Sequence, residues 1–308
     1  MKEILEKLGV RPSKERGQNF LIDERPLAKM IAAAELAPDD TVIEIGPGLG
    51  VLTAKLADAL PHGKIIAIEL EPKLTAYLKK KFRASAPEET PSPEESAASV
   101  EIIQGNALTY LRRAKMPPHY KIVANIPYQI TGALMRILLE TKQPPEKIVL
   151  MVQKEVADRL TAEPKKIGGS GEMSALTVIA QLQANVKKIA NVSAGAFYPT
   201  PKVDSAIIAL TPKQNQEKGN AGERRITTDE RQIKVDERLI SIVKKAFAGR
   251  RKKLGTTLKG IATLWGMVTP AALQEAFKES GITPDNRPQD LTIQDWRELW
   301  YNLAKRRE

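Results

Sequence analysis

One glycine loop constrains this chain more than any other stretch. Thr41-Val42-Ile43-Glu44-Ile45 is a short run rich in β-branched residues, the composition of a buried strand. Gly46-Pro47-Gly48-Leu49-Gly50 follows it, and Val51 to Leu60 then reads as a helix stopped by Pro61 and Gly63. Lys64 to Leu70 reads as a second strand, with Glu69 near its end. Glycines let a ligand approach the backbone closely. A dinucleotide-binding loop is spaced G-x-G-x-x-G, so that a pyrophosphate rests on the helix N-terminus. Here the spacing is G-x-G-x-G, and Pro47 removes one amide N–H. Both features disfavour a pyrophosphate and suit S-adenosylmethionine, which carries no phosphate. A carboxylate at Glu69 can accept both ribose hydroxyls. Singly, the glycines could make only a turn and Glu69 could be a solvated strand end. The order strand, loop, helix, strand, acid is what selects a cofactor site.

The same alternation continues. Pro72 to Phe82 reads as a helix, Val100 to Gln104 and Lys121 to Ala124 as the third and fourth strands, Ala133 to Glu140 as a helix, and Lys147 to Val152 as a further strand. Such alternation predicts an α/β fold with a parallel sheet and helices on both faces. Residues 84–99, ASAPEETPSPEESAAS, hold three prolines, four glutamates and no large apolar residue, which predicts a solvated, mobile acidic insertion. Residues 211–228 read as a linker, and beyond it the pattern is helical. Thr269-Pro270 reads as a helix start and Gly281 as a stop, and Thr292 with Asp295 opens the last helix. The expected organisation is a catalytic, cofactor-binding domain over 1–211 and a linker with a small all-helical basic domain over 212–308. No internal repeat is present.

Composition narrows the partners. The 308 residues carry a formal net charge of +11, which favours a polyanion, most often nucleic acid. Residues 244–259, KKAFAGRRKKLGTTLK, contain seven basic residues and no acidic one, a phosphate footprint if it is more than a solvated face. The chain has no cysteine and two histidines, which excludes disulfides and thiol chemistry and makes a zinc site improbable. It has no apolar run of the roughly 18 residues that span a membrane, and MKEILEKLGVRPSKERG lacks the apolar core of a signal peptide. Cytoplasm is the default expectation.

A second stretch carries its own chemistry. The apolar run Ile122-Val123-Ala124 breaks at Asn125-Ile126-Pro127-Tyr128. Proline alone would stop a strand. An amide with donors and an acceptor, next to a flat aromatic ring, suits a flat group that bears an amino group. Asn106, after the third strand, is placed to meet the adenine edge of a cofactor, although a turn asparagine after Gly105 reads as well.

Taken in order, these motifs resemble the small-subunit ribosomal RNA adenine dimethyltransferases, the KsgA family. The motifs are GQNFL (17–21) with Asp23, EIGPGLG (44–50), Glu69, NIPY (125–128), QKEV (153–156), F-x-P-x-PKVDSA (197–206) and F-x-x-RRK (247–252). The resemblance runs from Gly17 to about Leu299 apart from the insertion and linker. It implies a Rossmann-like S-adenosylmethionine-dependent methyltransferase that places two methyl groups on each of two adjacent adenosines near the 3′ end of small-subunit RNA. The implied cofactor site contains Asn19, Leu21, Gly46, Glu69, Asn106 and Asn125, and their motif neighbours Gln18, Gly48, Leu70 and Ala107 are expected beside them. Four features depart from the family pattern: Asn106 stands in place of aspartate, Ile126 in place of leucine, Met173-Ser174-Ala175 in place of an aromatic-Gly-x segment, and the acidic insertion is extra.

For the chemistry, Asn125 and a backbone carbonyl near Pro127 can accept the two N6 hydrogens of adenine and direct its lone pair at the methyl group. Tyr128 can stack on one face of the base and Phe197 on the other, so the expected catalytic set is Asn125, Pro127, Tyr128 and Phe197. No metal is needed, because the sulfonium is already an activated leaving group and the product is S-adenosylhomocysteine. Arg250, Arg251, Lys252 and Lys253 are expected to bind RNA, with a monomer acting on an immature 30S particle and no membrane involved. Two alternatives remain. One is an adenine methyltransferase of large-subunit RNA that confers macrolide resistance, against which VDSA (203–206) and RRK (250–252) speak. The other is a largely non-catalytic ribosome-assembly factor. A nicotinamide oxidoreductase is disfavoured by GPGLG.

Overall fold

Strands and helices alternate along the first two-thirds of the chain, and among the described residues beyond them only helices follow. The computed structural model describes residues 1–13, 17–83, 98–213, 237–249, 251–265 and 269–305. In chain order the elements are α1 (Lys2–Lys7), β1 (Phe20–Leu21), α2 (Arg25–Ala34), β2 (Thr41–Ile45), α3 (Val51–Ala59), β3 (Lys64–Glu69), α4 (Pro72–Arg83), β4 (Ser99–Gln104), α5 (Ala107–Arg113), β5 (Lys121–Asn125), α6 (Thr131–Glu140), β6 (Lys147–Gln153), α7 (Lys154–Leu160), α8 (Ala175–Gln183), β7 (Ala184–Val192), β8 (Phe197–Tyr198), β9 (Ser205–Pro212), α9 (Glu237–Ala248), α10 (Leu254–Trp265), α11 (Pro270–Glu279) and α12 (Ile293–Ala304). The expected insertion lies outside the described residues over 84–97, and the expected linker over 214–228.

Seven strands form one sheet in the order β4-β3-β2-β5-β6-β9-β7. From β2 the chain moves outward through β3 and β4, then returns to the other side of β2 for β5 and β6. Pairs β2–β3, β3–β4, β2–β5 and β5–β6 are parallel. The order therefore reverses between β2 and β5, and ligands of open α/β sheets bind at the carboxyl ends of strands beside such a reversal.

The sheet is mixed rather than wholly parallel. β9 pairs with β6 antiparallel, Ser205 opposite Gln153 and Leu210 opposite Ile148. β9 also takes in Thr211 and Pro212, which the sequence had placed at the start of the linker. Nearly every residue of β9 is buried, so it lacks the polar alternation that marks a half-exposed strand.

The core lies against the central strands. Val42, Val123, Val149 and Ile207 meet Leu27, Met30 and Ala34 of α2 in one buried cluster. Those α2 residues recur at three- and four-residue spacing, the apolar stripe of a helix that faces a sheet. Each of the larger side chains among them, the Val, Leu, Ile and Met, contributes roughly 1.5–3 kcal/mol by leaving water.

Contacts divide the chain into two units, Met1–Ala157 with Val186–Asn215, and Asp158–Asn185 with Gln216–Glu308. Residues 158–185 thus belong with the helical second unit, although they precede the boundary expected at 211. Sequence position alone suggests a single cut, whereas contacts let α8 join later helices. In that unit α8 contacts α9 and α12, α9 contacts α10, and α11 contacts α12. Trp296, fully buried, lies 6.2 Å from the ring of Phe247. Thr269 caps α11 by accepting the Ala272 N–H, and Thr292 forms a capping box with Asp295 on α12, as their spacing predicted.

Candidate active site

A cavity of about 310 Å³ opens in the first unit at the carboxyl ends of β2, β3 and β5. The glycine loop forms part of its wall. Gly46 N–H donates to Ile68 O at 2.9 Å, Gly48 N–H to Glu69 Oε2 at 3.1 Å, and Gly50 N–H to Pro47 O at 2.9 Å. Pro47 has no N–H. Four of the five loop residues therefore have no amide left for a phosphate, which agrees with the G-x-G-x-G spacing. Gly50 has φ +70°, and a Cβ there would lie 2.8 Å from Leu78 Cδ2 and from the Phe82 ring. Close approach of α4 to the loop thus requires glycine at this position.

Glu69 ends β3 and is 5% exposed. Its Oε1 accepts the Glu71 N–H at 2.9 Å while Oε2 accepts that of Gly48. A carboxylate has about four acceptor sites, so both oxygens keep capacity for a pair of hydroxyls. Burial pushes its pKa above the ordinary carboxylate value, against the pull of N–H groups from Glu71, Gly48 and Leu70. Leu70, 54% exposed, adds an apolar surface beside it at the cavity. A buried carboxylate, an apolar flank and no phosphate cradle fit S-adenosylmethionine.

The N-terminal motif closes another side. β1 pairs antiparallel with β8, Phe20 opposite Tyr198 and Leu21 opposite Phe197. Gln18 and Asn19 border the cavity. Gln18 Oε1 accepts the Ser13 N–H at 3.0 Å, and Asn19 Nδ2 donates to Gly17 O at 3.2 Å. Gly17 has φ +59°, and the place of its missing Cβ is taken by the side-chain amide of Gln129. This contact joins residues 17–21 to the loop after β5.

Asn125 is the last residue of β5, one position beyond the expected strand end, and pairs with Met151. No hydrogen bond fixes its side-chain amide among the described residues. The Pro127 carbonyl accepts the Ile130 N–H at 3.2 Å in a short turn that leads into α6. A carbonyl oxygen has two lone pairs, so this bond leaves the Pro127 carbonyl one acceptor site. Tyr128 is half-buried, and its hydroxyl lies 2.6 Å from Ser205 Oγ, so VDSA anchors the ring of NIPY. Burial pushes the Tyr128 pKa upward. Phe197 is 2% exposed and belongs to the core cluster while bordering the cavity. A base stacked on it would lie within the cavity.

Asn106 caps α5, with Oδ1 accepting the Leu108 N–H at 2.9 Å. Its Nδ2 is the atom left for a ligand, a donor where the family's aspartate offers only acceptors. Ala107 is buried next to it. Every residue expected from the sequence to hold cofactor or base borders this one cavity. Sequence reasoning passed over Glu44, Phe20 and Gln129, which border it too. Glu44 and Phe20 stood inside quoted motifs, but Gln129 carried no signal before β5 and Gly17 were seen together.

The basic cluster belongs to the second unit. Arg251, Lys252 and Lys253 are exposed in the turn between α9 and α10, and Arg250 lies outside the described residues. Lys253 Nζ is 3.0 Å from Asp285.

Fold and site together define a Rossmann-like, S-adenosylmethionine-dependent methyltransferase. The chain is 36% identical over 303 residues to the ribosomal RNA small subunit methyltransferase A of Dehalococcoides mccartyi, covering 98% of this chain and 92% of that protein. Against the protein of the same name from Streptomyces avermitilis it is 32% identical over 302 residues, again covering 98% and 92%. Among solved structures, a dimethyladenosine transferase from Plasmodium falciparum matches with a TM-score of 0.69 at 25% identity, covering 93% of this chain and 98% of that one. A 23S rRNA methyltransferase matches at 0.64, also at 25% identity, covering 93% and 100%. The chain belongs to the ribosomal RNA adenine dimethylase family, whose pattern matches residues 11–305.

Proposed function

We propose that this protein transfers methyl groups from S-adenosylmethionine to N6 of two adjacent adenosines near the 3′ end of small-subunit ribosomal RNA, giving N6,N6-dimethyladenosines. The observation that carries this reading is the meeting of the glycine loop, Glu69 and Asn125 at one cavity beside the strand reversal, in a member of this family. The relatives named for small-subunit RNA favour that substrate over large-subunit RNA.

Bound S-adenosylmethionine supplies a methyl group on a sulfonium, which leaves as the neutral thioether of S-adenosylhomocysteine. Glu69 holds the ribose. In the first transfer the Asn125 amide oxygen and a backbone carbonyl near Pro127 accept the two N6 hydrogens, so the nitrogen turns tetrahedral with its lone pair on the methyl carbon. Tyr128, anchored through Ser205, stacks on the base, which must leave its neighbours to enter the cavity and so suits unpaired RNA. The extra proton of the methylated nitrogen passes to water, and rate comes mainly from alignment. The cluster Arg250 to Lys253 holds RNA phosphates, and the substrate is an immature 30S particle met by a monomer in the cytoplasm.

Single-turnover transfer from labelled S-adenosylmethionine to small subunits lacking the modification tests this. Asn125→Ala is expected to lower the rate about 10- to 1,000-fold, the range for losing one preorganised polar contact, while RNA affinity changes little because phosphate contacts dominate it. A wild-type rate at saturation would remove the amide from the mechanism. Label found only in large-subunit RNA would overturn the substrate.

A further inference from the structure

Glu44 is a carboxyl that the mechanism above leaves unused. It is 1% exposed on β2, directly before the glycine loop, and it borders the same cavity as Glu69. Its hydrogen-bond partner is Thr53 on α3, also fully buried, whose Oγ1 donates to Glu44 Oε2 at 2.6 Å. The charged groups that face Glu44 are Glu69 from β3 and Lys81 from α4. Glu69 repels it. Lys81 Nζ is directed at the carbonyls of Leu49 and Gly50, at 3.0 and 3.4 Å. β5, on the other flank of β2, brings the aliphatic residues Ile122, Val123 and Ala124. Among the described residues no ion pair forms at Glu44.

An isolated carboxylate in such a place is unfavourable, and the group keeps its proton instead. Burial accordingly pushes the Glu44 pKa up to about 8, with the Thr53 hydroxyl pulling against it. A positive charge brought within roughly 6 Å reverses the preference and favours the ionised form. S-adenosylmethionine carries two positive groups, its sulfonium and its amino group, and one carboxylate, so its net charge is that of a single cation.

We propose that Glu44 is a charge-selecting residue of the cofactor site: neutral in the free protein, it gives its proton to solvent when a cationic cofactor binds, so that binding of S-adenosylmethionine releases about one proton at neutral pH. Charge balances, because one cation enters as one proton leaves. The site thereby favours the cationic cofactor over uncharged adenosine derivatives. This rests on the cofactor assignment made under the proposed function.

The sign of the pH dependence follows. Below the Glu44 titration the cofactor must displace a proton, so affinity rises with pH. It should gain about tenfold from pH 6 to pH 7 and level off above about pH 8. Methylthioadenosine lacks both positive groups and should show neither effect.

Calorimetric titration of the full chain at pH 7, in buffers of different ionisation enthalpy, reads proton release directly. S-adenosylmethionine is expected to release about one proton, methylthioadenosine none, and Glu44→Gln with S-adenosylmethionine none. A binding enthalpy for the wild-type chain that is the same in every buffer would overturn the proposal, and this needs no variant to fold. Equal release from Glu44→Gln would also overturn it, and would point to Glu69. If the wild-type chain bound methylthioadenosine and S-adenosylmethionine with the same proton release, charge selection would be refuted. No binding of S-adenosylmethionine at all would instead sink the cofactor assignment itself.

Discussion

Tyr128 reaches its place through a residue 77 positions away, Ser205, at 2.6 Å. Under the proposed function the ring is assigned to the substrate, while the hydroxyl bonds within the fold. Tyr128→Phe removes the hydrogen bond and leaves fully buried Ser205 without that partner, at a cost of about 1–3 kcal/mol in stability. Its ring survives, so methyl transfer at saturation should stay within a few-fold of wild type. Denaturant unfolding and single-turnover transfer, measured side by side, check this. An unchanged unfolding midpoint would show that the bond carries no weight, and a collapse of the rate would give the hydroxyl a part in the chemistry. The sequence placed Tyr128 beside Asn125 because they are neighbours in one motif, but its anchor was not legible. No local pattern relates residue 128 to residue 205 until β9 lies beside β6.

At the scale of elements, two strands of two residues each, β1 and β8, pair with one another and hold the N-terminal motif at the cavity. Gly17 tightens this join, because Gln129 occupies the space of a side chain there. Gly17→Ala would set a Cβ into that amide and hold an L-residue at φ +59°, a conformation that costs roughly 1–2 kcal/mol by itself. The expected result is weaker S-adenosylmethionine binding with the sheet intact, read by calorimetry together with circular dichroism. Unaltered affinity would show that the join does not shape the cofactor site. The parallel strands were legible because each is a short aliphatic run between turn residues. α6 begins at Thr131 rather than the expected Ala133, since the turn after Pro127 runs straight into it. β7 and β9 were not legible, for opposite reasons. β9 is buried almost throughout, while β7 is mostly exposed and carries Lys187 and Lys188, charges typical of an edge strand guarded against pairing.

Over the whole molecule, the net charge of +11 concentrates one testable burden on the turn between α9 and α10. Replacing Arg250, Arg251, Lys252 and Lys253 by glutamine should flatten the salt dependence of RNA binding, since each phosphate contact contributes about 0.7–0.9 to the logarithmic slope. Cofactor affinity should be preserved. Filter binding across a salt series reads the slope, and an unaltered slope would mark the cluster as a solvated surface. Lys253 is expected to contribute least, because Asp285 already faces it. The linear order of residues was enough to determine the glycine loop, the strand-end acid, the NIPY stretch and the helical second part, because each rests on spacing within a few residues and on local backbone chemistry. Only the tertiary structure decided the rest. It brought Glu44 into the cavity wall with no ion pair among the described residues, gave Gln129 the space beside Gly17, anchored Tyr128 on Ser205, and joined residues 158–185 to the helical unit. These depend on which distant segments share a face, and burial and close contact between such segments are properties of packing, which no local spacing encodes.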